Sequence, residues 1–68
     1  MPKISLAAAR VNAGLTQNEA AKKLNVSNRT LWQWEKGISI PRADKIDAIC
    51  ELYSIDYDNI IFLRKNNA

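Results

Sequence analysis

Hydrogen-bonding side chains gather on one face of a helix predicted for residues 28–36. Leu31 and Trp34, three residues apart, mark the inner face of this helix. The opposite face carries Asn28, Arg29, Trp32, Gln33 and Lys36. Asparagine and glutamine match the donor and acceptor that adenine presents in the major groove of DNA, and arginine matches the two acceptors of guanine. A merely solvated face more usually carries glutamate and lysine, so this acid-free face favours recognition of base edges.

Two short helices joined by a tight turn would position this face. The run Thr16-Gln17-Asn18-Glu19 has the residue types of a capping box and predicts a helix that continues to about Leu24. Asn25-Val26 leaves room only for a turn, in which asparagine tolerates a left-handed backbone, and Ser27 caps the next helix. The spacing predicts a helix-turn-helix over about residues 16–37, whose second helix enters a major groove. An ordinary helical hairpin is the alternative that spacing alone leaves open.

The remaining segments predict three more helices around this unit. They are Ser5 to Ala13, about Arg42 to Tyr53, and Tyr57 to about Leu63. Asp56 is the expected cap of the fifth and shortest helix. The predicted fold class is therefore all-α, with five helices and no sheet in a single domain over residues 1–68. Residues 64–68 are expected to form a frayed tail.

Length and composition exclude most classes of enzyme. The chain has 68 residues, a net charge of +3, no histidine and one cysteine, Cys50. A histidine-based triad, a zinc finger and a disulfide within the chain cannot be built, so we predict no catalytic residue, no metal site and no cofactor. Cys50 falls on the buried face of the fourth helix, where an inert core residue is favoured over a redox sensor. No apolar run could span a membrane and no signal-peptide pattern opens the chain, so we expect a cytoplasmic location.

Charge is unevenly distributed along the chain. Residues 1–45 carry eight basic and three acidic side chains, whereas residues 46–68 carry two basic and four acidic ones. This asymmetry is consistent with a polyanion bound on one side of the molecule, and ordinary surface charge is the alternative.

A series of short motifs covers the chain from about Leu6 to Leu63. In chain order they are Arg10, Gly14-Leu15-Thr16-Gln17-x-Glu19-Ala20-Ala21, Leu24-Asn25-Val26-Ser27, Thr30-Leu31, Trp34-Glu35-Lys36-Gly37, Pro41 and Leu52-Tyr53-Ser54-Ile55. In these motifs the chain resembles the Cro/repressor-type helix-turn-helix family of lambdoid phages, also called the XRE family. The resemblance implies a compact five-helix bundle of the lambda repressor-like type that binds the major groove of double-stranded DNA.

Three groups of functional residues are implied by the resemblance. The side chains expected at base edges are Ser27, Asn28, Arg29, Trp32 and Gln33. Those expected at DNA phosphates are Gln17, Lys22, Lys36, Arg42 and Lys45. Arg10 and Glu35 would form an ion pair that joins the first helix to the third. Trp32 departs from the family pattern: it would contact a thymine methyl group or a sugar, or fold back onto the second helix as an extension of the core.

The function implied is sequence-specific DNA binding by a transcriptional regulator, with a repressor favoured over an activator. One recognition helix makes few base contacts, so we expect a homodimer on a near-palindromic operator. The end of the chain is more apolar than a closing half-helix needs, and the candidate dimer interface is Ile61, Phe62 and Leu63. Packing of this segment into the core alone is the alternative. The alternative is an antitoxin or anti-repressor whose main surface binds a protein partner and whose DNA binding is secondary.

Overall fold

Four α-helices enclose the core in the computed structural model, which describes residues 3–62. The helices are α1 (Leu6–Asn12), α2 (Gln17–Leu24), α3 (Asn28–Lys36) and α4 (Ala43–Tyr53). Two-residue strands flank them, β1 (Ile4–Ser5) before α1 and β2 (Ile60–Ile61) near the end, with a 3-10 turn at Tyr57–Asn59. The bounds predicted for the first four helices agree with these to within one residue.

Hydroxyl side chains begin three of the four helices. Ser5 Oγ accepts a hydrogen bond from the Ala8 amide at the start of α1, at 3.1 Å. The capping box of α2 is complete: the Glu19 amide donates to Thr16 Oγ1 at 3.1 Å, and the Thr16 amide donates to Glu19 Oε1 at 2.8 Å. Arg42 precedes α4 without a side-chain capping bond. These caps satisfy amide groups that the first turn of a helix leaves unpaired.

Residues with a left-handed backbone conformation end the helices or follow them closely. Gly14 and Gly37 both have a φ of 77°, and Asn25 has a φ of 60°. Asn25 is the position at which the sequence analysis above expects such a backbone. Ser54, with a φ of 53°, ends α4 in the same conformation. Each lets the chain reverse direction directly after a helical segment.

The core lies between the inner faces of the four helices and β2. Its buried side chains are Leu6, Ala9, Ala20, Ala21, Leu24, Leu31, Trp34, Ile49, Tyr53 and Ile60. Leu31 of α3 and Ile49 of α4 are fully buried. The small buried side chains of Ala20 and Ala21 allow α3 to pack closely against α2.

The prediction of a fifth helix is wrong. Tyr57–Asn59 form a single 3-10 turn, Asp56 makes no side-chain capping bond, and the chain continues in an extended conformation. Ile60 is 5% exposed and Ile61 is 42% exposed, which is the alternation of a strand and not the stripe of a helix. β-Branched isoleucine favours this extended backbone. Leu63, the predicted end of that helix, and the predicted tail at 64–68 lie outside the described residues.

The prediction that the chain has no sheet is also wrong. β1 and β2 pair in parallel, with Ile4 opposite Ile60 and Ser5 opposite Ile61. Ser5 therefore has two roles, since it ends β1 and caps α1. The two strands come from opposite ends of the described chain, so no local pattern in the sequence indicates their pairing.

Candidate nucleic-acid interface

The turn between α2 and α3 fixes how the second helix is presented. The Asn25 amide donates to the Lys22 carbonyl at 3.1 Å, and the Val26 amide donates to the Ala21 carbonyl at 3.0 Å. These bonds close the end of α2 and bring Ser27 directly to the start of α3. α2 makes its most extensive contacts with α3, so the two helices form one packed helix-turn-helix unit.

The two sides of α3 differ sharply in chemistry. Leu31 is fully buried and Trp34 is 7% exposed, so this side anchors the helix in the core. The other side presents Asn28, Arg29, Trp32 and Lys36 as exposed residues and Gln33 as a half-buried one. All five side chains predicted on this face therefore lie there. Their amide and guanidinium groups supply the donor and acceptor pairs that adenine and guanine match in the major groove.

An open cleft of about 270 Å³ lies between the starts of α2 and α3. It is lined by Gln17 from α2 and by Asn28, Arg29 and Trp32 from α3. The guanidinium carbon of Arg29 is 6.0 Å from the ring centroid of Trp32, at the outer limit of a cation–π contact. The cleft thus brings together one candidate phosphate contact and three candidate base contacts.

A three-residue network joins the first three helices beneath this cleft. Arg10 Nε lies 2.7 Å from Glu35 Oε2, with the two side chains only 15% and 6% exposed. Gln17 Nε2 donates to Glu35 Oε1 at 3.0 Å, and Arg10 Nη1 donates to the Leu15 carbonyl at 2.9 Å. The hydrogen bond to Glu35 raises the pKa of Arg10. The arrangement fixes α3 relative to α1 and orients the Gln17 side chain.

Tyr53 of α4 is a core residue that carries a polar group. The residue is 6% exposed, and its hydroxyl has no hydrogen-bond partner among residues 3–62. Desolvation raises the pKa of Tyr53 to about 12, and the charge of Glu35 adds to this effect. The phenol therefore stays neutral beside the ion pair.

Ser27 caps α3 and is also exposed at the surface. Its hydroxyl accepts from the Thr30 amide at 3.0 Å and donates to Thr30 Oγ1 at 2.8 Å. A hydroxyl has one donor and two acceptor sites, so one acceptor site stays free for a partner on a DNA base. While its proton is donated to Thr30 Oγ1, the Ser27 hydroxyl can only accept a further hydrogen bond.

The candidate phosphate-binding cations differ in their surroundings. Lys22, Lys36 and Arg42 are exposed. Lys45, in contrast, donates from Nζ to the Leu24 carbonyl at 2.9 Å and is half-buried. Its ammonium stabilises the negative end of α2. The contact joins residues on different helices, so it has no signature in the local sequence.

The residues of the candidate dimer interface differ in how exposed they are. Ile61 is 42% exposed on β2. Phe62 is half-buried, packs against the core, and stacks on Tyr57 with 5.7 Å between ring centroids. Leu63 lies outside the described residues. Ile61 and the 57% exposed Tyr57 therefore supply the accessible apolar surface of this segment.

Cys50 packs partly buried against the core. Desolvation raises the pKa of its thiol, and the charges of Asp47 and Asp56 act in the same direction. Since the thiolate is the reactive form, this environment disfavours cysteine chemistry. Within residues 3–62, no helix combines the length and the apolar character required to cross a membrane.

Comparisons with known proteins agree with this geometry. Residues 6–60 match the family described as Helix-turn-helix. Over 53 residues the chain is 38% identical to the HTH-type transcriptional regulator ImmR of Bacillus subtilis (strain 168). The match covers 78% of this chain and 42% of that relative, so the chain spans less than half of its length. No solved structure matches the chain.

Proposed function

The chain belongs to the XRE-type helix-turn-helix family of DNA-binding proteins, and we propose that it is a transcriptional regulator that represses by occupying a specific operator. One observation carries the proposal: α3 exposes amide and guanidinium groups on a face free of acidic side chains, while its other side is anchored in the core. Sequence-specific proteins of this architecture place such a helix in the major groove.

Base recognition would come from the first turns of α3. Arg29 offers a bidentate donor to O6 and N7 of a guanine, and Asn28 and Gln33 offer amide pairs to adenine. Ser27 would accept a hydrogen bond with its remaining acceptor site. Trp32 would add apolar contact on the same face.

Phosphate contacts would set the position of α3 along the groove without specifying sequence. The proposed contacts are Gln17, Lys22, Lys36, Arg42 and Lys45. Gln17 lies at the start of α2, where unpaired backbone amides favour an anion. Lys45 would reach a phosphate with donors that its bond to Leu24 leaves unused, since an ammonium has three.

Two chains would bind one operator. A single α3 contacts few base pairs, whereas specific complexes typically reach a Kd of about 10⁻⁸ to 10⁻¹¹ M. We therefore propose a two-fold homodimer through Ile61, Phe62 and Leu63, with half-sites about 34 Å apart. Occupancy of such a site would exclude RNA polymerase, and the protein's concentration would set the degree of repression.

Selection of bound sequences from random duplex DNA tests this function. The expected result is an enriched motif with two inverted half-sites separated by one helical turn. The triple variant Asn28→Ala, Arg29→Ala, Gln33→Ala should enrich no motif, whereas Asn12→Ala, at an exposed position on α1, should enrich the wild-type motif. A wild-type selection that yields no preferred sequence would reject specific DNA binding.

A module that binds mainly a protein partner is the second candidate. The exposed apolar side chains of Tyr57 and Ile61 favour it. In that case the free chain would bind DNA weakly, and a stoichiometric partner covering β2 would raise its affinity for DNA. Titration of operator DNA with the purified chain alone separates the two candidates, because a repressor should bind tightly without any addition.

A further inference from the structure

Trp32 is an unusual residue for an exposed helix face. Tryptophan has the largest side chain of the standard amino acids, yet Trp32 is 37% exposed among amide and cationic side chains. With about 100° between successive residues of an α-helix, Trp32 projects between Asn28 and Arg29. It therefore lies within the candidate base-contacting face and not at its margin.

The guanidinium group of Arg29 lies over the face of this indole. Arg29 Cζ lies 6.0 Å from the Trp32 ring centroid, and both side chains line the cleft that Gln17 and Asn28 complete. Stacking on an aromatic ring leaves the guanidinium donors free while it restricts the motion of the arginine side chain. The pair thus presents a bidentate donor and an apolar surface side by side.

The edges of base pairs in the major groove offer one matching combination. Guanine presents two acceptors, and the C5 methyl group of thymine is the one apolar feature that the four bases display there. We propose that the Arg29–Trp32 pair recognises a two-base step in which a guanine lies next to a thymine. Arg29 binds the guanine, and Trp32 covers the thymine methyl group. This inference rests on the proposed DNA binding and specifies part of the operator.

Contact with a deoxyribose would be a different role for the same indole. Sugars are alike at every base pair, so a sugar contact would be insensitive to the C5 methyl group. Packing against α2 would be equally insensitive, because it concerns the protein alone. Removal of the methyl group from DNA therefore isolates the proposed contact.

Deoxyuridine substitution provides the test. The half-site is first obtained by selection, and each thymine in it is then replaced singly by deoxyuridine, which removes only the methyl group. At one thymine adjacent to a guanine, the substitution should raise the Kd of the wild-type protein about fourfold. This is the change expected when the burial of one methyl group on binding is lost. The same substitution should leave the Kd of Trp32→Ala unchanged.

A second variant separates loss of the methyl contact from loss of folding. Trp32→Phe keeps an aromatic surface and should retain part of the methyl dependence, and thermal unfolding should show both variants folded. Replacing the same thymine by cytosine should weaken binding, and 5-methylcytosine there should recover part of the loss.

Three outcomes would overturn the inference while specific DNA binding stands. They are a half-site without thymine, deoxyuridine substitutions that are all neutral, and a methyl dependence equal in wild type and Trp32→Ala. A selection with no enriched sequence would overturn the proposed function together with this inference.

Discussion

Gln17 Nε2 donates a 3.0 Å hydrogen bond to Oε1 of Glu35, the carboxylate that also binds Arg10. Side chains from α1, α2 and α3 thus meet at one nearly buried acid. Because Gln17 also lines the cleft beside α3, the network that fixes α3 also orients a candidate DNA contact. The predictions that follow separate these structural roles from direct contact with DNA.

Removal of either charge from the Arg10–Glu35 pair should destabilise the fold strongly. Glu35→Gln leaves the guanidinium of Arg10, 15% exposed, without its counter-ion, and the expected loss is about 3–5 kcal/mol in the free energy of unfolding. Urea denaturation measures this loss. The double variant Arg10→Met, Glu35→Leu should be more stable than Arg10→Met alone or Glu35→Leu alone, because no charge is then left unpaired. Losses below about 1 kcal/mol for both single variants would show that the pair is effectively solvated.

Glu19 should contribute to stability in a pH-dependent manner. Its hydrogen bonds with the backbone and side chain of Thr16 lower the pKa of the Glu19 carboxyl. A lowered pKa in the folded state means that the contribution is present above the unfolded-state pKa and is lost as pH falls through the folded-state value. Urea midpoints measured between pH 6 and pH 2 should therefore fall less steeply for Glu19→Gln than for wild type. Parallel pH profiles would contradict a role for the charged capping box.

The helix-turn-helix could be predicted from sequence because its signals are local. The capping box at Thr16, the left-handed Asn25 and the cap at Ser27 each depend on residues within four positions, and the structure has all three. The apolar spacing of Leu31 and Trp34 likewise identifies the inner face of α3, and so predicts which side chains remain outside.

The end of the chain could not be predicted in this way. The short apolar run at Ile60 and Ile61 does not by itself distinguish a helix from a strand, and its strand conformation depends on pairing with Ile4 and Ser5 from the opposite end of the described chain. The bond from Lys45 to the Leu24 carbonyl is also set by tertiary packing. Contacts of this kind join distant residues and leave no periodic signal.

Arg29 should contribute to sequence preference more than to general affinity. Arg29→Ala should weaken binding to the selected operator by about 1–3 kcal/mol and relax the preference at one base pair. Arg29→Lys is the matched control, since it keeps the charge but loses the planar bidentate donor, and it should also relax that preference. Titration of operator and scrambled duplexes measures both effects. Equal losses on the two duplexes would exclude base recognition by Arg29.

Lys36 should act on phosphates alone. Lys36→Ala should weaken binding to all sequences alike and should reduce the slope of log K against log salt by about one. The measurement is a titration of both duplexes at several salt concentrations. Lys36→Arg, which keeps the positive charge, should retain the wild-type slope. An unchanged slope in Lys36→Ala would remove this residue from the set of phosphate contacts.

Ile61 should determine the oligomeric state. It lies opposite Ser5 in the sheet and is 42% exposed, so a new side chain there can project outward without replacing a core residue. Ile61→Glu should dissociate a dimer, because it brings two carboxylates into an apolar contact without partners. Sedimentation should then report a monomer, and binding to the full operator should fall towards that of a single half-site. Val11→Glu introduces the same charge at a 63% exposed residue of α1 and should leave the dimer intact. If Ile61→Glu sediments as wild type does and Val11→Glu dissociates, the interface lies on α1 and not on β2.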